Sequence, residues 1–100
     1  MATLQVHLQE GFAGEPVVLR LGGRIVADRP SVSTRPQLGL AEIIRLDLPP
    51  GHHVLEVALP ARHRSEEIPF DLDRELHLAL SLERDGTLSH RSSESTFGYV

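Results

Sequence analysis

Histidine is the residue type best suited to metal binding or proton transfer in this chain of 100 residues, which contains six histidines. A neutral imidazole is the commonest metal ligand, and it changes charge near physiological pH. His7 and His77 stand at positions predicted to face outward from strands, so they can meet only if those strands are neighbours. His52 and His53 are adjacent and therefore point to opposite faces of a strand. This distribution favours separate, solvated histidines on outer faces and turns.

A metal site needs three or four ligands that converge on one point. The weak candidates for such ligands are His7, His63 and His77. Asp71, Asp73 and Glu75 share one side of an extended chain and carry the oxygen ligands that calcium prefers, but an EF-hand loop with its central glycine is absent. We interpret them as an acidic strand end that faces water. The sequence predicts no bound metal and no cofactor.

Motifs that mark an active site are missing from the sequence. It contains no Gly-x-Ser-x-Gly, no His-Glu-x-x-His, no phosphate loop and no Gly-x-Gly-x-x-Gly. Because the chain has no cysteine, a thiol enzyme, a disulfide scaffold and a Cys-ligated zinc fold are all excluded. We therefore predict a protein without catalytic activity.

Composition and charge narrow the class further. The net charge is −4, and all ten basic residues are arginines scattered among acids, so a basic face for nucleic acid is not expected. Arginine without lysine or asparagine is typical of GC-rich bacterial coding. The N-terminus alternates instead of forming the apolar run of a signal peptide, and no stretch approaches the length of a membrane span. These features predict a cytoplasmic protein with no membrane partner.

The dominant hydrophobic period is two, which is typical of strands with one dry and one wet face. Turn signals separate the strands at Gly22–Gly23, Pro49–Gly51 and Asp85–Gly86. The predicted strands cover residues 3–9, 16–21, 24–28, 42–48, 52–59, 68–72, 75–83 and 87–90. Between them we predict a loop or irregular edge at 29–37, a short helical turn at 38–42 and a charged connection at 62–67.

Short strands with frequent turns predict an all-β fold, a single antiparallel β-sandwich of about seven or eight short strands. A barrel fits this pattern less well, and a parallel sheet covered by helices would show continuous apolar runs instead of alternation. We assign residues 1–90 to the sandwich domain and residues 91–100 to a C-terminal tail.

One stretch resembles known modules. The run from Leu46 to Pro60, Leu-Asp-Leu-Pro-Pro-Gly-His-His-Val-Leu-Glu-Val-Ala-Leu-Pro, resembles the signature of PEGA-type and carboxypeptidase-regulatory-like domains. Residues 14–26 are similar to the strand-turn-strand unit that precedes that signature. With the strands from Ile68 to Leu88, the resemblance covers roughly four-fifths of the chain. It implies an immunoglobulin-like or prealbumin-like sandwich and an accessory role in binding, spacing or presenting.

A second resemblance concerns the start of the chain. Val6-His7-Leu8-Gln9, followed by Gly14-Glu15-Pro16, is similar to the opening of the transthyretin and 5-hydroxyisourate hydrolase family. That resemblance implies a catalytic role for His7 together with a histidine on the last strand, which would be His90. The Tyr-Arg-Gly-Ser ending of those enzymes is absent, since this chain ends in Ser-Thr-Phe-Gly-Tyr-Val.

The C-terminal tail is the remaining candidate for function, because two of the four aromatic residues lie in its last four positions. Phe97, Tyr99 and Val100 either fold back on the sandwich or dock on a partner or a neighbouring copy. We therefore predict a non-catalytic binding or protein-interaction module. Its protein partner would be reached through a sheet edge, the 29–37 loop or the tail. A homo-oligomer is a further alternative. The alternatives are a transthyretin-like hydrolase and a His-based metal-binding protein.

Overall fold

The computed structural model describes residues 1–98, and these form eight strands and one short 3₁₀ helix. The strands are β1 (Ala2–Leu8), β2 (Ala13–Leu21), β3 (Arg24–Ser33), β4 (Glu42–Leu48), β5 (Gly51–Leu59), β6 (Arg64–Leu72), β7 (Glu75–Leu82) and β8 (Leu88–Ser93), and the 3₁₀ helix η1 (Pro60–Arg62) follows β5. Within residues 1–98, no helix is long and apolar enough to cross a membrane.

The strands form two four-stranded sheets. Sheet A has the order β4-β1-β7-β8, and sheet B has the order β3-β2-β5-β6. The first strand, β1, runs parallel to β7, whereas the other paired strands are antiparallel. The predicted all-β sandwich is therefore confirmed. Sheet A positions the candidate site, because its two central strands each carry a histidine at an outward position.

The core lies between the two sheets and is built from the alternating apolar positions. In β1, Leu4, Val6 and Leu8 are fully buried, and β7 contributes Leu78 and Leu80 to the same core. Full burial of one such side chain stabilises the fold by about 1.5–3 kcal/mol before entropy is counted. The inward leucines hold β1 and β7 in register, and that register fixes what stands on the outer face.

Two glycine turns agree with the sequence prediction. Gly22 and Gly23 have φ angles of 56° and 80°, which is the left-handed backbone that a two-residue hairpin requires. Gly86, with φ at 88°, closes the turn between β7 and β8. Both turns join strands that are neighbours in one sheet, so the glycines set strand pairing as well as chain reversal.

The segment 29–37, predicted as a loop or an irregular edge, lies at the edge of sheet B. Its first part belongs to β3, which continues to Ser33. Its pairing with β2 contains register shifts, as expected where proline interrupts a ladder. The predicted helical turn at 38–42 is wrong. A hydrogen-bonded turn lies earlier, where the amides of Leu38 and Gly39 both donate to the Arg35 carbonyl.

Two further boundaries differ from the prediction. The charged connection expected at 62–67 is partly strand, since β6 begins at Arg64. Charged residues can lie there because β6 is the other edge of sheet B and their side chains reach water. At the other end of the chain, β8 extends to Ser93, three residues into the segment assigned to the tail.

Candidate functional site

The outer face of sheet A carries the two outward histidines on its two central strands. His7 on β1 lies level with Ala79 on β7, and Ala79 lies level with Arg91 on β8. His77 lies one row away, level with Gln5. The condition for His7 and His77 to meet, neighbouring strands, is therefore fulfilled by the parallel pairing of β1 and β7.

Neither histidine is solvated, which corrects the prediction for His7 and His77. His7 is 0% exposed and His77 is 2% exposed, although both point away from the core between the sheets. Strand alternation identifies the face on which a side chain stands, but it gives no information about a segment that folds over that face. Here the C-terminal segment returns to sheet A, and Phe97 lies against both rings.

The two imidazoles form one hydrogen-bonded unit, which we call the histidine pair. His7 Nε2 lies 3.1 Å from His77 Nδ1, and His77 Nε2 lies 3.1 Å from a carboxylate oxygen of Glu75. Because a carboxylate only accepts, His77 donates from Nε2. Neutral His77 then accepts at Nδ1, so His7 must donate from Nε2. The line of proton donors thus runs from His7 through His77 to Glu75.

Phe97 and Arg91 complete the site above the histidine pair. The Phe97 ring centroid lies 5.1 Å from that of His7 and 6.4 Å from that of His77, with both ring pairs close to perpendicular. The Arg91 guanidinium carbon lies 4.7 Å from the Phe97 centroid. Edge-to-face ring pairs and a cation near an aromatic face are both favourable geometries. We call the surface formed by His7, His77 and Arg91 the aromatic slot.

The environment of the histidine pair disfavours positive charge on His7. Burial lowers the pKa of His7 below its usual 6.5, and the nearby His77 lowers it further. Desolvation acts in this direction because the imidazolium loses its hydration while the neutral ring does not. The neutral form of His7 is therefore favoured at physiological pH, where His7 is hydrogen-bonded to His77.

The geometry falls short of a metal centre. Two imidazoles provide one ligand fewer than the minimum of three, and in the part of the chain that the structure describes no group of three His, Asp or Glu side chains is arranged to hold an ion. The third weak candidate, His63, lies exposed beyond η1 with a left-handed φ of 51°, and no side chain links it to the histidine pair in residues 1–98.

The acidic strand end forms an open cleft rather than an enclosed site. Its volume is ≈ 280 Å³, and it is lined by Asp71, Asp73, Arg74, Glu75, Leu76 and Glu94. Asp71 accepts from His52 at 2.9 Å on the exposed face of sheet B. The sequence interpretation, carboxylates facing water, agrees with their exposure.

His90 does not join His7. It pairs with Leu80, whose side chain is in the core, so alternation directs the Cβ of His90 to the opposite face of sheet A from His7. The residue of β8 that shares the row of His7 is Arg91. Sequence reasoning missed both Arg91 and the partnership of Glu75 with His77. Arg91 lies two residues after Ser89, and Glu75 lies two residues before His77, so each pair shares one face of its strand. This spacing was visible in the sequence, but it identifies a contact only once the strand register is known.

Of the predicted partner-binding residues, Phe97 is half-buried in the aromatic slot, whereas Tyr99 and Val100 lie outside the described residues. The comparisons with known proteins add no assignment: no protein-family model matches the sequence, and no curated protein is similar to it.

Proposed function

We propose that the chain is a non-catalytic protein-interaction module that uses the aromatic slot to bind an aromatic side chain from an extended peptide segment. The observation that carries this proposal is the seat of Phe97, which lies on the histidine pair and against Arg91. The outer face of a sandwich sheet is ordinarily wet and polar. A face that withdraws two imidazoles from water beneath a phenyl ring is shaped for an aromatic occupant.

The chemistry of the slot explains its preference for an aromatic ring. An edge-to-face ring pair contributes about 0.5–1.5 kcal/mol beyond burial, and a cation over an exposed ring adds about 0.5–1 kcal/mol. An aliphatic side chain would gain the burial without these contributions. The slot also lies beside β8, the edge strand of sheet A, along which an extended segment can add.

The strand pairing supports the prealbumin-like type for this module. In constant-type immunoglobulin domains the first strand pairs with the second strand of the chain. Here β1 pairs with β4 and β7, and β2 pairs with β3 and β5 in the other sheet. Of the two sandwich types that the sequence resembles, this order favours the prealbumin-like one. A cytoplasmic location and a protein partner stay predictions from the sequence.

The test uses a chain that ends at Glu94, which leaves the slot unoccupied in cis. We would titrate it at pH 7.5, by calorimetry, with a synthetic peptide of residues 92–100 and with the same peptide carrying Phe97→Ala. We expect the truncated chain to bind the first peptide and not the second. The intact chain should bind the first peptide at least tenfold more weakly, because its own tail competes at an effective concentration of the order of millimolar.

Matched variants identify the surface. Arg91→Ala in the truncated chain should weaken peptide binding, whereas Arg24→Ala, a change of the same kind at an exposed position on β3 of sheet B, should leave it unchanged. Equal binding of the Phe97→Ala peptide, or equal loss with both arginine variants, would contradict the proposal. Sedimentation of the intact chain then shows whether the occupant in trans is a second copy or a different protein.

A further inference from the structure

We propose that the histidine pair is a pH-operated latch, which keeps Phe97 in the aromatic slot while the pair is neutral and releases it when the pair becomes fully protonated. This inference rests on the proposed function, since it concerns the regulation of the same slot. The structural basis is the position of the pair directly beneath the phenyl ring, with its two nitrogens 3.1 Å apart.

The contact between His7 Nε2 and His77 Nδ1 depends on the number of protons that the pair carries. The neutral pair holds one proton between His7 Nε2 and His77 Nδ1, which is what a 3.1 Å hydrogen bond requires. One added proton can be accommodated, because His77 can donate from both nitrogens if His7 changes tautomer. A second added proton puts N–H groups on both facing nitrogens. Two donors at 3.1 Å repel, so the fully protonated pair must separate.

The groups around the pair carry charges of both signs, and none of them removes the conflict between the two donors. Glu75 on β7 bonds to His77, and Glu94 of the C-terminal segment lies with Glu75 in the acidic cleft. Arg91 on β8 stands in the row of His7, and Arg45 on β4 lies level with Gln5 beside it. Glu75 and Glu94 offset part of the positive charge, Arg91 and Arg45 add to it, and the Arg91 guanidinium carbon lies 4.7 Å from the Phe97 ring centroid.

When the two rings separate, Phe97 is displaced, because the tail moves more easily than the strands of sheet A. On the sheet side both rings belong to the two central strands of sheet A, which are held by ladders and by the core. The segment that leads to Phe97 is exposed from Glu94 to Thr96, and its hydrogen bonds in the described chain are local, between Ser93, Ser95 and their neighbours. Water therefore reaches the imidazolium rings at least cost when Phe97 leaves.

The experiment monitors the Phe97 ring by NMR in the intact chain between pH 8 and pH 5. Docked Phe97 has ring resonances shifted by the adjacent imidazoles, and released Phe97 has the shifts of a free peptide. In the pH range where the pair takes up its second proton, we expect the ratio of released to docked tail to rise by up to about tenfold for each unit by which the pH falls. The leucine methyl resonances of the core report that the sandwich stays folded throughout.

Variants make the test specific to the pair. In the double variant His7→Gln, His77→Gln the tail should no longer respond to pH, whereas His90→Gln, which removes a histidine on the opposite face of sheet A, should behave as the parent chain does. If the double variant does not fold, His77→Gln alone replaces it in the same measurement, since this variant also removes the conflict between the two donors.

The latch is wrong if Phe97 stays docked at pH 5, or if its release has the same pH dependence in the double variant. Either result leaves the proposed function standing when the truncated chain binds the tail peptide at pH 7.5. Conversely, pH-dependent release together with failure of the peptide to bind contradicts the proposed function and retains the latch as a property of the tail.

Discussion

At the scale of single residues, the main feature is a pair of polar side chains buried on a face that alternation marks as wet. Leaving a buried donor or acceptor without a partner costs about 1–3 kcal/mol. His7 and His77 avoid this cost because each offers the other a complementary nitrogen, and Glu75 satisfies the second nitrogen of His77. These hydrogen bonds depend on which nitrogens carry protons, which makes this site sensitive to pH.

The pH dependence of stability should show the lowered pKa of His7. Because the unfolded state takes up the proton at a higher pH than the folded state, the contribution of His7 is fully present above about pH 6.5 and is lost as the pH falls through its lowered folded pKa. Urea unfolding at several pH values should show a loss of up to about 1.4 kcal/mol per pH unit in that window. The lowered pKa of Asp85 acts only below its usual 3.8, so the two windows are separate.

His7→Gln should flatten the dependence of the unfolding free energy between pH 7 and pH 5. His90→Gln serves as the control and should keep the slope of the parent chain. A parent chain with constant stability over this range would contradict the lowered pKa of His7.

A second residue-scale prediction concerns Gly11, whose φ is +88°. A Cβ there would lie 1.8 Å from the Leu82 carbonyl oxygen, which belongs to backbone and cannot swing aside. Gly23 also has a positive φ, of 80°, but a Cβ would meet nothing within 4 Å. Gly23→Ala should therefore cost about 1–2 kcal/mol through backbone strain alone.

Gly11→Ala should cost at least about 1–3 kcal/mol more than that, through the displaced β7 end. Thermal unfolding of the two variants side by side measures the difference. Equal destabilisation would show that the chain between β1 and β2 moves without penalty.

At the scale of elements, the tail is a removable cover on sheet A rather than part of the core. Phe97 touches the outer face of the sheet, whereas the core residues lie between the two sheets. We predict that deletion of residues 95–100 leaves the sandwich folded and lowers its unfolding free energy by about 1–2 kcal/mol, the amount expected for a half-buried phenyl ring.

Circular dichroism and urea unfolding of the truncated chain check this prediction. The Phe97→Ala variant of the full chain is the matched comparison and should show most of the same loss. Failure of the truncated chain to fold would mean that the C-terminal segment belongs to the structural unit.

Strand positions could be predicted from the sequence, but strand partners could not. The alternation of Leu76, Leu78 and Leu80 identifies β7 from its own residues, because one buried face imposes a period of two. That β7 lies beside β1 depends on a contact between residues about seventy positions apart, which no local pattern encodes. For this reason the outward position of His7 was predictable, whereas its burial and its partner were not.

The edges of the sheets show the same limit. Pro30 and Pro36 mark the 29–37 segment as irregular, and β3 is an edge strand with register shifts. The charges at 64–67 favour a connection in the sequence because they interrupt the apolar alternation. An edge strand tolerates charged residues on both of its faces because side chains at the edge reach water, so charge alone does not separate strand from loop there.

At the scale of the whole molecule, the histidines divide into two groups with different consequences for charge. Protonation of all six would change the formal charge from −4 to +2. His7 and His77 are buried as a pair, whereas His52, His53, His63 and His90 are exposed or partly exposed. Protonation of these four takes the formal charge from −4 to zero, where the repulsion between molecules is weakest.

We therefore predict that the chain self-associates as the pH falls from 7 to about 5.5, with the strongest light scattering near the point of zero charge rather than beyond it. The exposed apolar side chains Ile25, Ile43 and Val54 supply contacts once repulsion is lost. A variant with His52, His63 and His90 changed to Gln has a formal charge of −3 with His53 protonated, so it should scatter little over the same range. Added salt should reduce the difference between the two chains because it screens the repulsion that distinguishes them. Scattering that stays flat for the parent chain, or rises equally in the triple variant, would assign the association to the aromatic slot or to another surface instead of to net charge.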